Sequence, residues 1–129
     1  MIQSKLKKIQ LKEDEKFIYE EEKITVLAET KPRATKFIGS VITITNFRII
    51  LSQKMVFGGY QIRYVINYKD KGPDFNIKGG YVTCNTNKED IRFENEKKSV
   101  IKIKTSGGSW VGILNVYVKN SESVIEMIK

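Results

Sequence analysis

Three cations fall within six residues, Lys31, Arg33 and Lys36, at the start of the most basic part of the chain. Cations gathered at one rim can satisfy the charge of a phosphate and its acceptor oxygens together, which is the chemistry of a lipid-headgroup site. A second candidate lies further on, where Met55-Val56-Phe57-Gly58-Gly59-Tyr60 makes an apolar turn directly after Lys54. An exposed Phe57 beside Lys54 would combine insertion among acyl chains with attraction to headgroups, the two signals that reversible membrane docking needs. The ordinary fate of such a phenylalanine is to fold back onto its own sheet, and the sequence favours that outcome for Phe57.

Charge is unevenly distributed. The 129 residues carry a net +8 from 23 basic and 15 acidic groups. Nineteen lysines stand against four arginines, an excess that an AT-rich genome also produces, so clustering carries more information than the total. Residues 30–72 hold eight basic groups and one acid, net +7, whereas 17–29 sum to −3 and 73–96 to −2. A concentrated basic region raises the local concentration of an anionic partner, be it lipid phosphate, nucleic acid or an acidic protein face.

Most catalytic chemistry is excluded. There is no histidine, which removes Ser-His and Cys-His nucleophile systems and the usual nitrogen ligands of zinc. Cys84, the single cysteine, has no internal partner and is expected to pack as an inert strand residue, which suits a reducing compartment. No Gly-rich phosphate loop occurs, and no carboxylate pair stands beside a plausible acid or base partner. The expectation is a non-enzyme with no cofactor and no metal. A nucleic-acid platform would use Tyr64 and Tyr68 with Arg63 and Lys69, but Tyr64 and Arg63 point to opposite faces of a strand, so stacking and charge do not meet. Trp110 is expected in the core.

The elements that must position these groups follow a period of two, so the class is mainly β, in one domain over 1–129. Phe17-Ile18-Tyr19 and Ile24 to Leu27 read as a hairpin turning through Glu20-Glu21-Glu22, a set of carboxylates better suited to solvation than to a metal. Thr30 to Lys36, with Pro32, reads as an open loop. Phe37 to Thr45 alternates with β-branched residues, Asn46 suits a tight turn, and Phe47 to Ser52 returns. Gly58-Gly59 suits a primed hairpin turn before Ile62, Tyr64, Ile66 and Tyr68. Tyr81 to Cys84, Ile91 to Phe93, Val100 to Ile103 and Trp110 to Val118 complete seven or eight strands. Ser123-Val124-Ile125-Glu126 has capping-box spacing, so a short helix ends the chain, starting there or at Asn120 or Ser121. Residues 1–10 permit a basic arm, a helical turn or a strand. Their charges stand where a signal peptide needs an apolar run, and no stretch reaches the roughly 20 apolar residues of a membrane span, so a soluble protein is expected. These short strands and one helix would bury their apolar faces most economically as a closed barrel or sandwich stoppered by the helix.

The run Gly39-Ser40-Val41-Ile42-Thr43-Ile44-Thr45-Asn46-Phe47-Arg48-Ile49-Ile50 resembles the hairpin signature of the pleckstrin-homology-like superfamily, in its GRAM and GLUE branches and bacterial PH-like domains. The likeness extends loosely over residues 11–128, through acidic Glu13 to Glu15, the strand count and the terminal helix. It implies a seven-stranded bent barrel or sandwich capped by a C-terminal α-helix. It also implies a cytoplasmic adaptor module, peripheral to a membrane, that binds anionic lipid headgroups such as phosphoinositide. The alternative it carries is a protein-interaction module, for ubiquitin in the manner of GLUE domains or for self-association in the manner of the bacterial ones. Arg48 belongs to the shared motif, and its place after the turn points to structural hydrogen bonds with loop carbonyls. A chain ending one or two turns into an amphipathic helix suggests the first module of a longer protein.

Overall fold

The computed structural model describes residues 11, 13–30, 33–68, 81–94, 99–105, 107–108 and 111–129. Lys31, Trp110 and the proposed arm over 1–10 lie outside them. Nine strands form one mixed sheet: β1 (Phe17–Thr30), β2 (Arg33–Thr45), β3 (Arg48–Lys54), β4 (Tyr60–Tyr68), β5 (Val82–Thr86), β6 (Ile91–Glu94), β7 (Val100–Lys104), β8 (Gly107–Gly108) and β9 (Ile113–Tyr117). β8 is a two-residue pairing, which leaves eight strands of real length among the described residues. The strand order is β6-β7-β9-β1-β2-β3-β4-β5-β8, and a single helix, α1 (Ser121–Ile128), packs against the sheet.

β1 explains the shape. Its whole length ladders with β2, while Thr25 to Glu29 also pair with β9, so one strand joins the β1–β4 meander to the β6-β7-β9 half. At this junction the register shifts twice, between Glu21 and Ile24 and between Ile24 and Val26. Lys23 and Gly39 take φ of 59° and 67° there. Such bulges bend and twist a strand, which brings the inner faces of the two halves together. Ile42, Ile44, Ile49, Leu51 and Ile66 thus meet Ile101, Ile103, Leu114 and Val116 in one core. Each such aliphatic side chain contributes about 1.5–3 kcal/mol by leaving water. Ile50, Ile62 and Val65 form a smaller cluster on the other face, with Tyr60 and Tyr81 beside it.

The helix begins at Ser121, one of the earlier starts the sequence allows, and not at the Ser123 capping box. The Asn120 side chain caps it by accepting from the Ser123 backbone N–H at 3.2 Å, and Val124, Ile125 and Ile128 turn into the core.

Three expectations are corrected. The sheet is not a closed barrel: the ladder ends at β6 on one side and β8 on the other. β5 runs parallel to β4 instead of laddering with β6, and the approach across the gap is made by the Thr86 hydroxyl, which donates to the Lys104 carbonyl at 2.8 Å. Phe17 to Leu27 is no hairpin but the first part of a 14-residue strand, because Glu20 and Glu21 stay opposite Thr43 and Ile42. Nor are 33–36 an open loop. The ladder continues to the pair Thr30 and Arg33, where β-branched and small residues keep the strand geometry.

Candidate functional site

The β2-β3-β4 meander turns twice, at opposite ends, and the two turns differ in every physical respect. At the first, Thr45-Asn46-Phe47-Arg48, the chain grips residues 14–16. Arg48 Nε and a terminal guanidinium nitrogen donate to the two oxygens of Glu15 at 2.9 and 3.0 Å, and both side chains are wholly buried. The Thr45 hydroxyl donates to Glu15 Oε2 at 2.6 Å and accepts from the N–H groups of Phe47 and Arg48, each at 3.1 Å. Asn46 finishes the clip: its Oδ1 accepts from the Lys16 N–H at 2.6 Å and its Nδ2 donates to the Asp14 carbonyl at 3.0 Å. Arg48 is structural, and the carboxylate of Glu15, 33 residues away, is a partner that the local sequence did not reveal.

The second turn carries no such clip. The Met55 carbonyl accepts from the Gly58 N–H at 3.2 Å, so Val56 and Phe57 are the corner residues, and the Met55 N–H donates to the Gly59 carbonyl at 3.0 Å. Gly58 and Gly59 take positive φ, 92° and 75°, to bring the chain back into β4. The glycines therefore do not form the corner, as a two-residue primed turn would require. Their displacement pushes Val56 and Phe57 outward, and these are 93% and 102% exposed. Phe57 does not fold back onto the sheet.

Neighbouring strands extend this apolar tip. Gln53 Nε2 donates to the Ile38 carbonyl at 3.0 Å, which sets Ile38, 66% exposed, beside the start of the turn. Phe37 faces inward, edge-on to Tyr64 and under the Arg63 guanidinium, so alternation places Lys36 and Ile38 on the outer face. Lys54 shares that face with Ser52 and Ile50, two and four residues back along β3. From Arg33 to Tyr68 the chain holds five cations and no carboxylate. Arg48 is neutralised by Glu15, Arg63 donates to Gln53 Oε1 at 2.9 and 3.2 Å, and Arg33, Lys36 and Lys54 stand exposed.

The proposed cation cluster is thus divided. Lys36, Lys54 and Phe57 lie around the second turn. Arg33 closes the β1–β2 ladder against Thr30, and its odd spacing from Lys36 sends the two side chains to opposite faces of β2. The participation of Ile38 was missed. Ile38 gave a signal, since an inward Phe37 and a glycine at 39 put an isoleucine outward, but only the register reveals what it stands beside.

Other candidates resolve into structure. Tyr64 and Tyr68 are buried and cannot stack on bases. Cys84 is wholly buried, and burial pushes its thiol from 9.0 up to about 12. The carboxylates of β1 line an open cleft of ≈ 730 Å³ with Ser99 and Val118, but they serve the fold. Glu21 accepts from the Tyr19 hydroxyl at 2.6 Å and the Lys119 N–H at 2.9 Å, and Glu20 from the Thr43 hydroxyl at 2.6 Å. Burial and the Glu21 carboxylate raise Tyr19 from 10.0 to about 12. Among the described residues, no group of three or more acidic, cysteine or histidine side chains could hold a metal ion, and no helix is long and apolar enough to cross a membrane. Comparison with protein-family models, curated proteins and solved structures finds no match to this chain.

Proposed function

We propose that this chain is a non-catalytic PH-like domain that docks on anionic membrane surfaces through the β3–β4 turn. Val56 and Phe57 enter the boundary between headgroups and acyl chains, while Lys54 and Lys36 meet the phosphates. The observation that carries this reading is the pair of bare apolar corner residues, flanked by exposed cations in a stretch without a carboxylate. A polar turn would cost nothing in water, whereas an exposed phenylalanine gains about 1.5–3 kcal/mol only where it is covered. Each lysine near an anionic leaflet adds about 1 kcal/mol. Together these give reversible, salt-sensitive attachment.

The PH-like assignment draws support from the order of elements: a β1–β4 meander, a three-stranded β6-β7-β9 half sharing β1, and a terminal helix on the core. The parallel β5 is this chain's departure from that plan. The opposed directions of Arg33 and Lys36 favour recognition by charge and insertion over a stereospecific phosphoinositide pocket.

Co-sedimentation with phosphatidylcholine vesicles, with and without phosphatidylserine, at low and physiological salt tests the reading. Binding is expected only with the anionic lipid, and weaker at the higher salt. Equal, negligible pelleting in every condition rejects it.

A further inference from the structure

β2 outruns its neighbour. Its ladder with β3 begins at Ser40 opposite Gln53, and Arg33 to Ile38 continue beyond it, with Arg33 to Phe37 paired with β1 on one side. Among the described residues no strand pairs with the other edge. The Ile38 carbonyl faces that edge, where Gln53 Nε2 reaches it. Because backbone polar groups alternate in direction along a strand, the N–H and C=O of Lys36 and Ala34 face the same way. All four residues from Arg33 to Lys36 are exposed. An open row of donors and acceptors is a template for another strand unless something blunts it. Here nothing does so by geometry: no proline or bulge interrupts 33–37 in β2, and the register with β1 runs unbroken from Phe37 to Arg33.

Charge selects the occupant. An added strand sends its side chains alternately to both faces of the sheet, and cross-strand neighbours share a face. Arg33 on the inner side and Lys36 on the outer side are too divided to hold one phosphate, but a strand with carboxylates on its outer face would set them beside Lys36. Lys54 extends the outer row, and the exposed Ile38 offers an apolar seat at its end. A second copy of this chain is disfavoured, because it would bring the same net positive charge to the seam, with no carboxylate between Arg33 and Tyr68 to offset it. We propose that the 33–38 edge of β2 accepts an extended acidic peptide segment by strand addition. This goes beyond membrane docking and does not depend on it.

The test uses a fluorescein-labelled (Glu-Val)4 peptide and the same peptide N-methylated at alternate amides, which keeps the charge but cannot ladder. Fluorescence anisotropy at low salt should show binding of the first, weakened about tenfold or more by N-methylation, since several hydrogen bonds are lost. Ala34→Pro removes an outward N–H without touching the β1 ladder and should weaken binding about threefold to tenfold, with its fold checked by amide NMR. Lys36→Glu should weaken it further. Ala34→Pro leaves vesicle binding unchanged, whereas Phe57→Ser abolishes vesicle binding and changes peptide affinity by less than about twofold, so the two readings fail separately. Equal affinity for both peptides, meaning attraction by charge alone, overturns the proposal. So does the absence of binding below millimolar peptide.

Discussion

The two turns of the β2-β3-β4 meander face opposite constraints. At Thr45–Arg48 the side chains of Thr45, Asn46 and Arg48 all bond to residues 14–16, around an ion pair that water does not reach. At Met55–Gly59 the corner is apolar, unsupported and open. A buried pair costs desolvation that its bidentate geometry must offset, so such a turn is kept for what it specifies: the path of the chain entering β1. An exposed Phe57 specifies nothing in the fold, and its cost in water is recovered only by contact with another body. The first turn should therefore govern stability and not binding, and the second binding and not stability.

The largest expected effect is Arg48→Met, which leaves Glu15 buried without its guanidinium and should cost about 3–5 kcal/mol in urea unfolding. Adding Glu15→Leu should restore much of that loss, and failure to do so would show that the clip stabilises by more than its charges. Thr45→Val, which takes one of two donors from Glu15 Oε2 and removes the hydroxyl that accepts from the Phe47 and Arg48 backbone N–H groups, should cost about 1–3 kcal/mol. Phe57→Ser should weaken binding to phosphatidylserine vesicles about tenfold or more, in keeping with the transfer energy of the side chain, while moving stability by less than about 0.5 kcal/mol. Gly58→Ala introduces a Cβ into open space, so its expected cost of about 1 kcal/mol comes from the positive φ alone. A stability loss at Phe57 as large as that at Arg48 would erase the contrast.

Alternation exposed the strands to sequence reading from Phe37 to Tyr68 and from Val100 to Val118, because half-buried strands advertise their inner face. The same rule misread Glu20 to Glu22 as a turn. Glu20 and Glu21 are tied by Thr43, Tyr19 and Lys119, partners up to 98 residues away, and no local pattern marks such a tie. The parallel β5 was equally hidden, since pairing direction depends on the connection and not on the strand. Of the site, Lys54 and Phe57 were legible as a cation beside an apolar turn. The division of Arg33 from Lys36 was latent in their odd spacing, and became decisive only when 33–36 proved to be strand.

Cys84 supplies the means for a direct test. As its thiol stays protonated to about pH 12, the stability this contributes is whole below its ordinary 9.0 and is lost as pH rises through about 12. At about pH 8 the buried thiol should resist alkylating dyes until the protein unfolds. An environment-sensitive fluorophore can therefore be attached selectively at Phe57→Cys. On adding phosphatidylserine vesicles, the account predicts a blue-shifted, brighter emission shielded from aqueous iodide, with no change on phosphatidylcholine alone. Emission that stays in its aqueous range while the protein pellets with the anionic vesicles would contradict insertion of this turn.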